Sequence, residues 1–438
     1  MRSDLQVVVG LGVVVALVIV CTQVLAFARI EEPALLGTNE WHLVVAWLQS
    51  RGGLVDRRVA LVDAGVRGRD VLATAAIPNS TTLVRIPAAA VVTAEIARAS
   101  SEVARSVYER WLQAFDDQPQ FSFGSDYTRS PLLEVNQEQL VAAYFLLDEK
   151  SKGVDSAWGA WLVVLPSSYP SVPFGWSADE LRCLGDEEGK VRSSQQRIRE
   201  AVKSLRDIPG AGRYSWEDVV WAFSTVMSRS HGVTEHGASI IGFCPVADMF
   251  NHAGAKASAT WWYDEEAAEF VVQTTQAVGA GEVITVSYGS KRAVDFLVDY
   301  GFVDSSAPVE VTLNLWGVGQ SCPVDQLHLS SKTPVVDAED WQQVLSCARQ
   351  HAQESERETD PAEVERTARR WIGRVAESAI ASLPQGRGDA ALACGELTKG
   401  KAAVLNGVAQ FGGLRPEPVP GYEHHTDLVV QGLAESIV

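Results

Sequence analysis

Three short segments in the middle of the chain constrain its fold more than any other feature. Pro245–His252 contains an aspartate and an Asn-His pair, Val286–Gly289 ends in Tyr-Gly, and Asp299–Phe302 carries a second tyrosine followed by Gly-Phe. The glycines and the proline mark turns beside short apolar runs, a pattern that favours brief strands over long helices. A fold that brings the segments together would hold a small polar cofactor and line a narrow aromatic channel.

The three segments belong to a longer series of motifs. In chain order, the others are Val66–Ala73, Leu83–Pro87, Asp155–Trp158, Leu165–Pro166, Trp176, Glu180–Leu181 and Met227–Arg229. In order and spacing the series resembles the SET-domain methyltransferases of the class typified by the Rubisco large-subunit lysine methyltransferases. The resemblance covers most of the chain. It implies an α+β protein in which a β-rich SET fold carries a helical insertion, followed by a mostly α-helical C-terminal lobe.

The resemblance also implies domain boundaries. A SET domain would span residues 35–305 with its helical insertion at about 94–230, a helical substrate-binding lobe would span 306–414, and a tail would cover 415–438. Apolar periodicity predicts helices over Trp41–Leu48, Ala94–Phe115, Gln137–Asp148, Ser194–Leu205, Trp216–Met227, Ala338–Glu354, Pro361–Leu383 and Glu396–Phe411. Runs bounded by Gly and Pro predict strands over Arg58–Val66, Val71–Ile77, Thr82–Ile86, Ile240–Pro245, Ala259–Asp264, Glu269–Thr275 and Val283–Tyr288.

Composition and charge exclude some classes of function. The 438 residues are 46% hydrophobic and 21% charged, which is typical of a globular protein with a large core. A net charge of −18 argues against a nucleic-acid binder, because phosphate contacts require clustered Lys and Arg. A lysine-bearing protein substrate suits it better, and we expect a monomer. The six cysteines form no C-x-x-C pair, so we expect neither a zinc cluster nor a disulfide framework.

The amino terminus carries an apolar segment. Val7–Val20 is almost wholly apolar, and the apolar character continues to about residue 28. Ala26–Ala28 is a small-x-small site typical of a cleaved signal peptide, while a length of about twenty residues also suits a membrane anchor. The sequence leaves both interpretations of residues 1–28 open. It therefore predicts a protein that is membrane-anchored through residues 7–28 or targeted to the secretory pathway or a plastid.

The resemblance implies S-adenosylmethionine as the cofactor and assigns residues that hold it without a metal. Asn251 and His252 would bind it through the asparagine amide and backbone groups, with Asp248 close by on the same turn. Arg229 would face the carboxylate of its amino-acid head, since a guanidinium fork matches that group.

A glycine-rich turn upstream completes the expected cofactor site. The resemblance implies that Gly68, Arg69 and Val71 pack against the cofactor through backbone atoms. Asp70 replaces the second glycine of the family's turn. If that position requires a positive φ, an aspartate adopts it less freely than glycine and cofactor affinity would suffer.

Two tyrosines are the expected catalytic residues. The resemblance implies that the Tyr288 hydroxyl stands where the acceptor amine meets the methyl group, and that Tyr300 shapes the same channel. The acceptor would be a lysine in preference to a histidine. Burial in an apolar channel and a nearby sulfonium would both disfavour the ammonium form of that lysine. Ala293 stands where the family usually has an asparagine, a loss that would loosen the channel wall.

Two other classes of function compete with this interpretation. A metal-dependent hydrolase could gather His231, His236, Asp248 and His252 as ligands with Glu235 as base, although no H-E-x-x-H spacing supports it. The other class is a SET-like protein-binding module with weak or no turnover, which the departures at residues 70 and 293 suggest.

Overall fold

The computed structural model describes residues 38–65, 68–118, 130–235, 237–314, 326–331, 338–354, 360–383 and 391–411. Within these ranges short strands and helices are interspersed, with helices grouped in two places. One group lies between the fifth and sixth strands, and the other follows the last strand. The expected α+β class is thus confirmed.

The strands form several small sheets. They are β1 (Leu54–Val55), β2 (Val59–Asp63), β3 (Arg69–Ala73), β4 (Thr82–Pro87), β5 (Val92–Thr93), β6 (Ser230–Glu235), β7 (Ala238–Phe243), β8 (Asn251–His252), β9 (Ala259–Asp264), β10 (Glu269–Thr274), β11 (Thr285–Val286), β12 (Glu310–Asn314) and β13 (Gln326–Ser330). One antiparallel sheet has the order β1-β4-β10-β9 and another the order β5-β7-β6. β2 pairs with β3 and β12 with β13, both antiparallel, whereas β8 and β11 pair in parallel.

The helices follow the predicted pattern with shifted ends. They are α1 (Thr38–Ser50), α2 (Ala94–Ser100), α3 (Glu102–Asp116), α4 (Gln137–Lys152), α5 (Gly159–Leu162), α6 (Ala178–Leu181), α7 (Glu188–Ser204), α8 (Trp216–Arg229), α9 (Ala293–Tyr300), α10 (Ala338–Glu354), α11 (Pro361–Ala381) and α12 (Ala391–Phe411). The single helix predicted over 94–115 is two helices. Ser101 between them is extended, and its hydroxyl accepts a hydrogen bond from the Ala104 amide, which begins α3.

The inserted helices build the core that supports the site. Residues 140–149 of α4 are buried on every face of the helix, as expected for the central helix of a large core. α8 packs against α4 and begins with a capping box in which Ser215 and Asp218 exchange hydrogen bonds. Its last residue is Arg229, so the helix fixes the position of that guanidinium.

A second apolar cluster joins the insertion to the C-terminal helices. Trp176, Leu184, Phe296 and Leu397 are among its buried members, so it links a loop of the insertion, α9 and α12. A disulfide between Cys183 and Cys394 lies in the same cluster, with 5.8 Å between the Cα atoms. The expectation of no disulfide framework is therefore wrong, and Cys347 is disulfide-bonded as well. Partners 211 residues apart leave no local spacing pattern in a sequence.

The C-terminal lobe contains strands that the sequence did not predict. β12 and β13 form an antiparallel pair whose Leu313, Leu327 and Leu329 pack against Trp341 of α10 and the other lobe helices. Strand residues were missed because the alternation runs for only five residues in each strand. The domain boundaries, including the tail at 415–438, remain predictions.

The predicted signal peptide or anchor at residues 1–28 lies outside the described residues. Among the helices of the described ranges, none combines the length and apolar character needed to cross a membrane.

Candidate functional site

Two of the three segments singled out from the sequence are joined by one short parallel ladder. β8 places Asn251 opposite Thr285 and His252 opposite Val286 of β11. The Ala253 amide then donates to the Val286 carbonyl oxygen at 3.0 Å. Asn251 and His252 were predicted on a turn, but they lie on this two-residue strand. The ladder holds them directly beside the segment that carries Tyr288.

His252 fixes the position of Tyr288. Its Nδ1 accepts a hydrogen bond from the Tyr288 amide at 2.9 Å, so the ring proton is on Nε2. Nε2 lies 3.2 Å from Oδ2 of Asp304, which accepts a hydrogen bond from it. The side chain of His252 is almost fully buried, with 3% of its surface exposed. Both ring nitrogens are therefore used to join β8 to the segments that follow it.

An aromatic cluster surrounds Tyr288. The ring centroids of Tyr288 and Tyr300 are 4.8 Å apart, and those of His252 and Phe296 are 4.6 Å apart. Phe302 packs against both tyrosines at 6.4 and 6.1 Å. The two tyrosines thus stand together, as the resemblance implied, at the C-terminal end of α9 and after β11.

The hydroxyl of Tyr288 has a defined direction. It donates a hydrogen bond to the Phe250 carbonyl oxygen at 2.8 Å. Burial raises the pKa of this phenol well above its usual value, with a smaller opposing effect of Arg229, so the group is neutral at physiological pH. Its donor is occupied, and its oxygen lone pairs remain as acceptors.

The Asn251 side chain is held by β3. Its Nδ2 donates to the Arg69 carbonyl oxygen at 2.6 Å and to Oδ1 of Asp70 at 2.7 Å. With both amide protons used, the carboxamide orientation is fixed and Oδ1 is the atom presented to a ligand. Asp70 therefore orients Asn251 by a contact that a glycine could not make.

The concern about strain at Asp70 is resolved. Among the described residues the non-glycine positions with positive φ are Ser80, Val246 and Ala268, so Asp70 has ordinary extended backbone geometry. The left-handed residue of this turn is Gly68, with a φ of +84°, and no atom lies within 4 Å of where its Cβ would be.

The structure places Val71 and Ala293 in the protein core. The side chain of Val71 is fully buried in the main core, and its carbonyl oxygen accepts a hydrogen bond from the Ile284 amide at 2.8 Å. The residue thus ties β3 to the strand segment before Tyr288. Ala293 is also fully buried, and its amide donates to the Pro308 carbonyl oxygen at 2.9 Å. The small side chain fits the start of α9 without a gap for an amide.

Arg229 and Asp248 form the polar floor of the site. Arg229 Nη1 donates to the Asp248 carbonyl oxygen at 2.8 Å, and its Nε donates to the Tyr169 hydroxyl at 3.1 Å. Oδ2 of Asp248 accepts a hydrogen bond from the Trp161 indole at 3.1 Å and lies 3.9 Å from Arg229 Nη1. Burial raises the pKa of the Asp248 carboxyl to about 6, although Arg229 and Trp161 act against this.

Two buried polar atoms in this region have no hydrogen-bond partner in the described part of the chain. They are Nη1 of Arg69 and Oδ1 of Asp248. A buried donor and a buried acceptor without partners are costly unless a ligand satisfies them. An amino-acid head group, with one carboxylate and one ammonium, matches this donor and this acceptor. The residues present therefore fit the cofactor that the resemblance implies.

The metal-hydrolase alternative lacks a cluster of ligands. Within the described ranges, no three His, Cys, Asp or Glu side chains are close enough to hold a metal ion. His231 packs between Trp261 and Phe270 at centroid distances of 5.3 and 5.1 Å, and burial lowers its pKa to about 4. His236 lies outside the described residues.

Solved structures share this arrangement of elements. The SET domain of LSMT bound to lysine and AdoHcy matches with a TM-score of 0.57 at 17% identity, over 84% of this chain and 90% of that chain. Rubisco LSMT bound to AdoMet matches with a TM-score of 0.54 at 16% identity, over 91% of this chain and 93% of that chain. This chain has the SET fold.

Sequence relatives of this SET-fold chain include actin-histidine N-methyltransferases. The protein of Mus musculus is 25% identical over 213 residues, which cover 45% of this chain and 35% of that protein. The protein of Homo sapiens is 26% identical over the same length, with the same coverage. The match thus spans about a third of the length of these relatives. No protein-family model matches the chain.

Two residues of the candidate site were not predicted from the sequence. Tyr169 bonds to Arg229 from the proline-rich loop between α5 and α6, and Trp161 on α5 bonds to Asp248. Each of the two is at least 60 residues away in the sequence from the residue to which it bonds. The only signal in the sequence was their place in the helical insertion, which gives no hint of a partner.

Proposed function

We propose that this protein is an S-adenosylmethionine-dependent protein N-methyltransferase whose acceptor is the Nζ of a lysine. In the reaction a carbon–sulfur bond of the cofactor breaks, a carbon–nitrogen bond forms, and the amine loses a proton to solvent. The observation that carries the proposal is the short chain segment shared by two groups of residues. Tyr288, whose ring pairs with that of Tyr300, donates its hydroxyl to the Phe250 carbonyl oxygen, two residues after the Asp248 that pairs with Arg229.

The polar floor and β8 would hold the cofactor. Arg229 suits its carboxylate, Oδ1 of Asp248 suits its ammonium, and Oδ1 of Asn251 is an acceptor for either the ammonium or a hydroxyl. Gly68 leaves open space for close approach of the ligand to the backbone. When bound, S-adenosylmethionine supplies a methyl group made electrophilic by a sulfonium.

The aromatic cluster would prepare the amine. A free lysine has a pKa near 10.4, so holding it uncharged at pH 7 costs about 4–5 kcal/mol. Burial against the cluster of Tyr288, Tyr300 and Phe302 would remove water from the ammonium and lower that cost. The Tyr288 oxygen stays neutral and positions the amine by accepting contacts, so no carboxylate base is required.

A lysine suits the cluster better than a histidine. An aliphatic stem can lie along an aromatic face, and a terminal ammonium is attracted to that face before it loses its proton. The Tyr300 ring already has an ammonium near it, that of Lys291, at 5.4 Å from the centroid. The named ligand of the LSMT structure is lysine, whereas the named acceptor of the sequence relatives is histidine.

The test is to incubate the purified full-length protein with methyl-labelled S-adenosylmethionine and a lysate, and to locate the label by mass spectrometry. We expect label on lysine, and its loss in Tyr288→Phe. Label on histidine would contradict the proposal that the acceptor is a lysine. Binding of the cofactor without label on any protein would contradict turnover and favour the SET-like binding module.

We also propose that the protein works in an oxidising compartment as a monomer. The Cys183–Cys394 disulfide supports the compartment, since such bonds are rare in the reducing cytosol. Residues 7–28 would direct the chain there as an anchor or a signal peptide. Fractionation of cells that express the full-length protein, followed by thiol labelling, tests this. A cytosolic pool with reduced cysteines would contradict it.

A further inference from the structure

We propose that the side chain of Arg69 binds the carboxylate of the cofactor's amino-acid head, as a second guanidinium beside Arg229. The inference rests on the proposed function and deepens it. The sequence predicted only a backbone role for Arg69, in the turn that packs against the cofactor.

The guanidinium of Arg69 is half-buried and poorly satisfied. Its Nη1 has neither exposed surface nor a hydrogen-bond partner in the described part of the chain. Its Nη2 reaches the Leu165 carbonyl oxygen at 3.5 Å, which is the outer limit of a hydrogen bond. No carboxylate of the described residues forms an ion pair with Arg69. An arginine keeps its charge under these conditions, so an anion is the group that would stabilise it.

A second cation lies close to Arg69. Burial lowers the pKa of Arg69, and the positive charge of Arg229 lowers it further, while Tyr169 and Asp248 act in the opposite direction. Two guanidinium groups in one partly buried region repel each other unless an anion lies between them. Asp248 supplies one negative charge, 3.9 Å from Arg229, so the two guanidinium groups and this carboxylate still leave one positive charge uncompensated.

Arg229 has room for the same anion. Its Nε and Nη1 are directed at the Tyr169 hydroxyl and the Asp248 carbonyl oxygen. In the part of the chain that the structure describes, Nη2 of Arg229 has no bond of its own. A carboxylate has two oxygens, and the free Nη2 of Arg229 and the free Nη1 of Arg69 can each donate to one.

The backbone of Arg69 places its side chain next to the rest of the site. Arg69 begins β3, and its carbonyl oxygen accepts the Asn251 amide at 2.6 Å. Gly68, just before it, has a φ of +84° and open space around it. The same residue thus anchors Asn251 through its main chain, and the strand that it begins packs against the Ala247–Met249 turn, which carries Asp248.

The test compares two ligands on the full-length protein by isothermal titration calorimetry. One is S-adenosylhomocysteine, and the other is its decarboxylated analogue, which lacks only the carboxylate. We expect Arg69→Leu to raise the Kd of S-adenosylhomocysteine about 10- to 100-fold, as for a lost charge-assisted hydrogen bond, and to leave the Kd of the analogue within about twofold. Arg69→Lys, which keeps the charge, should retain part of the affinity.

Arg206→Leu is the matched control, because that arginine is exposed and unpaired among the described residues, and it should change neither Kd. Equal weakening of both ligands by Arg69→Leu, or no weakening of either, would overturn the inference. If Arg69→Leu does not fold, the same comparison is made with Arg69→Lys. Failure of the wild-type protein to bind S-adenosylhomocysteine at all would instead reject the proposed function, so the two failures are distinguishable.

Discussion

Removal of the Cys183–Cys394 disulfide should destabilise the protein by more than its packing alone explains. The bond closes a loop of 211 residues, so an unfolded chain without it gains a large amount of conformational freedom. On the chain-entropy relation this loop corresponds to about 5 kcal/mol at 25 °C, which is an upper value because engineered and native bonds often deliver less. Both cysteines are also buried, so Cys183→Ala/Cys394→Ala loses some packing.

The measurement is urea unfolding of the full-length protein without reductant, followed by tryptophan fluorescence. Cys244→Ala is the matched control, since Cys244 is a buried free thiol of the same size and its loss costs only packing, about 1 kcal/mol. We expect the double variant to lose clearly more unfolding free energy than twice the control value. A loss no greater than that would refute the entropic reasoning.

A count of free thiols in denaturant tests the bond itself, independently of stability. If Cys183 and Cys394 are bonded, the double variant has the same number of reactive thiols as the wild type, and Cys183→Ala alone has one more. A double variant with two fewer reactive thiols would show that the bond does not form.

Three further substitutions test the site. Tyr288→Phe leaves the Phe250 carbonyl oxygen without its donor, so we expect about 1–3 kcal/mol less unfolding free energy and at least a tenfold lower kcat, at unchanged cofactor Kd. Asp70→Ala removes one of the two acceptors that orient Asn251, and calorimetry should show a cofactor Kd raised about tenfold. Asp248→Asn removes a carboxyl whose pKa is raised from 3.8 to about 6. Its charged form is disfavoured on folding, so wild-type stability should fall by about 2.4 kcal/mol from pH 4 to pH 7 relative to the variant.

A specific result would contradict each of these three predictions. Exposed Asp116 is a control for the aspartate changes, and Asp116→Ala should affect neither affinity nor the pH profile. An unchanged cofactor Kd in Asp70→Ala would mean that the Arg69 carbonyl oxygen alone orients Asn251. Parallel pH profiles for wild type and Asp248→Asn would mean that the carboxyl titrates normally. Full activity of Tyr288→Phe would remove its hydroxyl from the mechanism.

The sequence predicted the parts of this fold that depend on local pattern. Ala259–Asp264 and Ala338–Glu354 are found with the predicted ends, because each has an unbroken period and clear flanking residues. The helix predicted over 94–115 is broken because Ser101 caps the second of two helices, and a serine within a periodic run gives little warning of that. The disulfide and the strands of the C-terminal lobe depend on distant partners and were missed.

The residues of the candidate site likewise fall into those that the sequence pointed to and those that it did not. Asn251, Tyr288 and Tyr300 were assigned to one site because motifs place them close together along the chain or at family spacing, and the structure brings them near one another. Tyr169 was missed because its partner Arg229 is 60 residues away. At residue 70 the sequence showed an aspartate where the family has a glycine, but not what the aspartate does. Its hydrogen bond to Asn251 is visible only when β3 and β8 lie side by side in the structure.

The ladder between β8 and β11 is only two residues long, yet the site is assembled around it. Its contacts reach back 182 residues to Arg69 and forward 52 residues to Asp304. We therefore expect a growing chain on the ribosome to bind no ligand here until the residues up to Asp304 have emerged and β8 has packed beside β3. Ligand binding would then indicate that the fold is complete, and truncated or misfolded copies would give no signal in a binding assay.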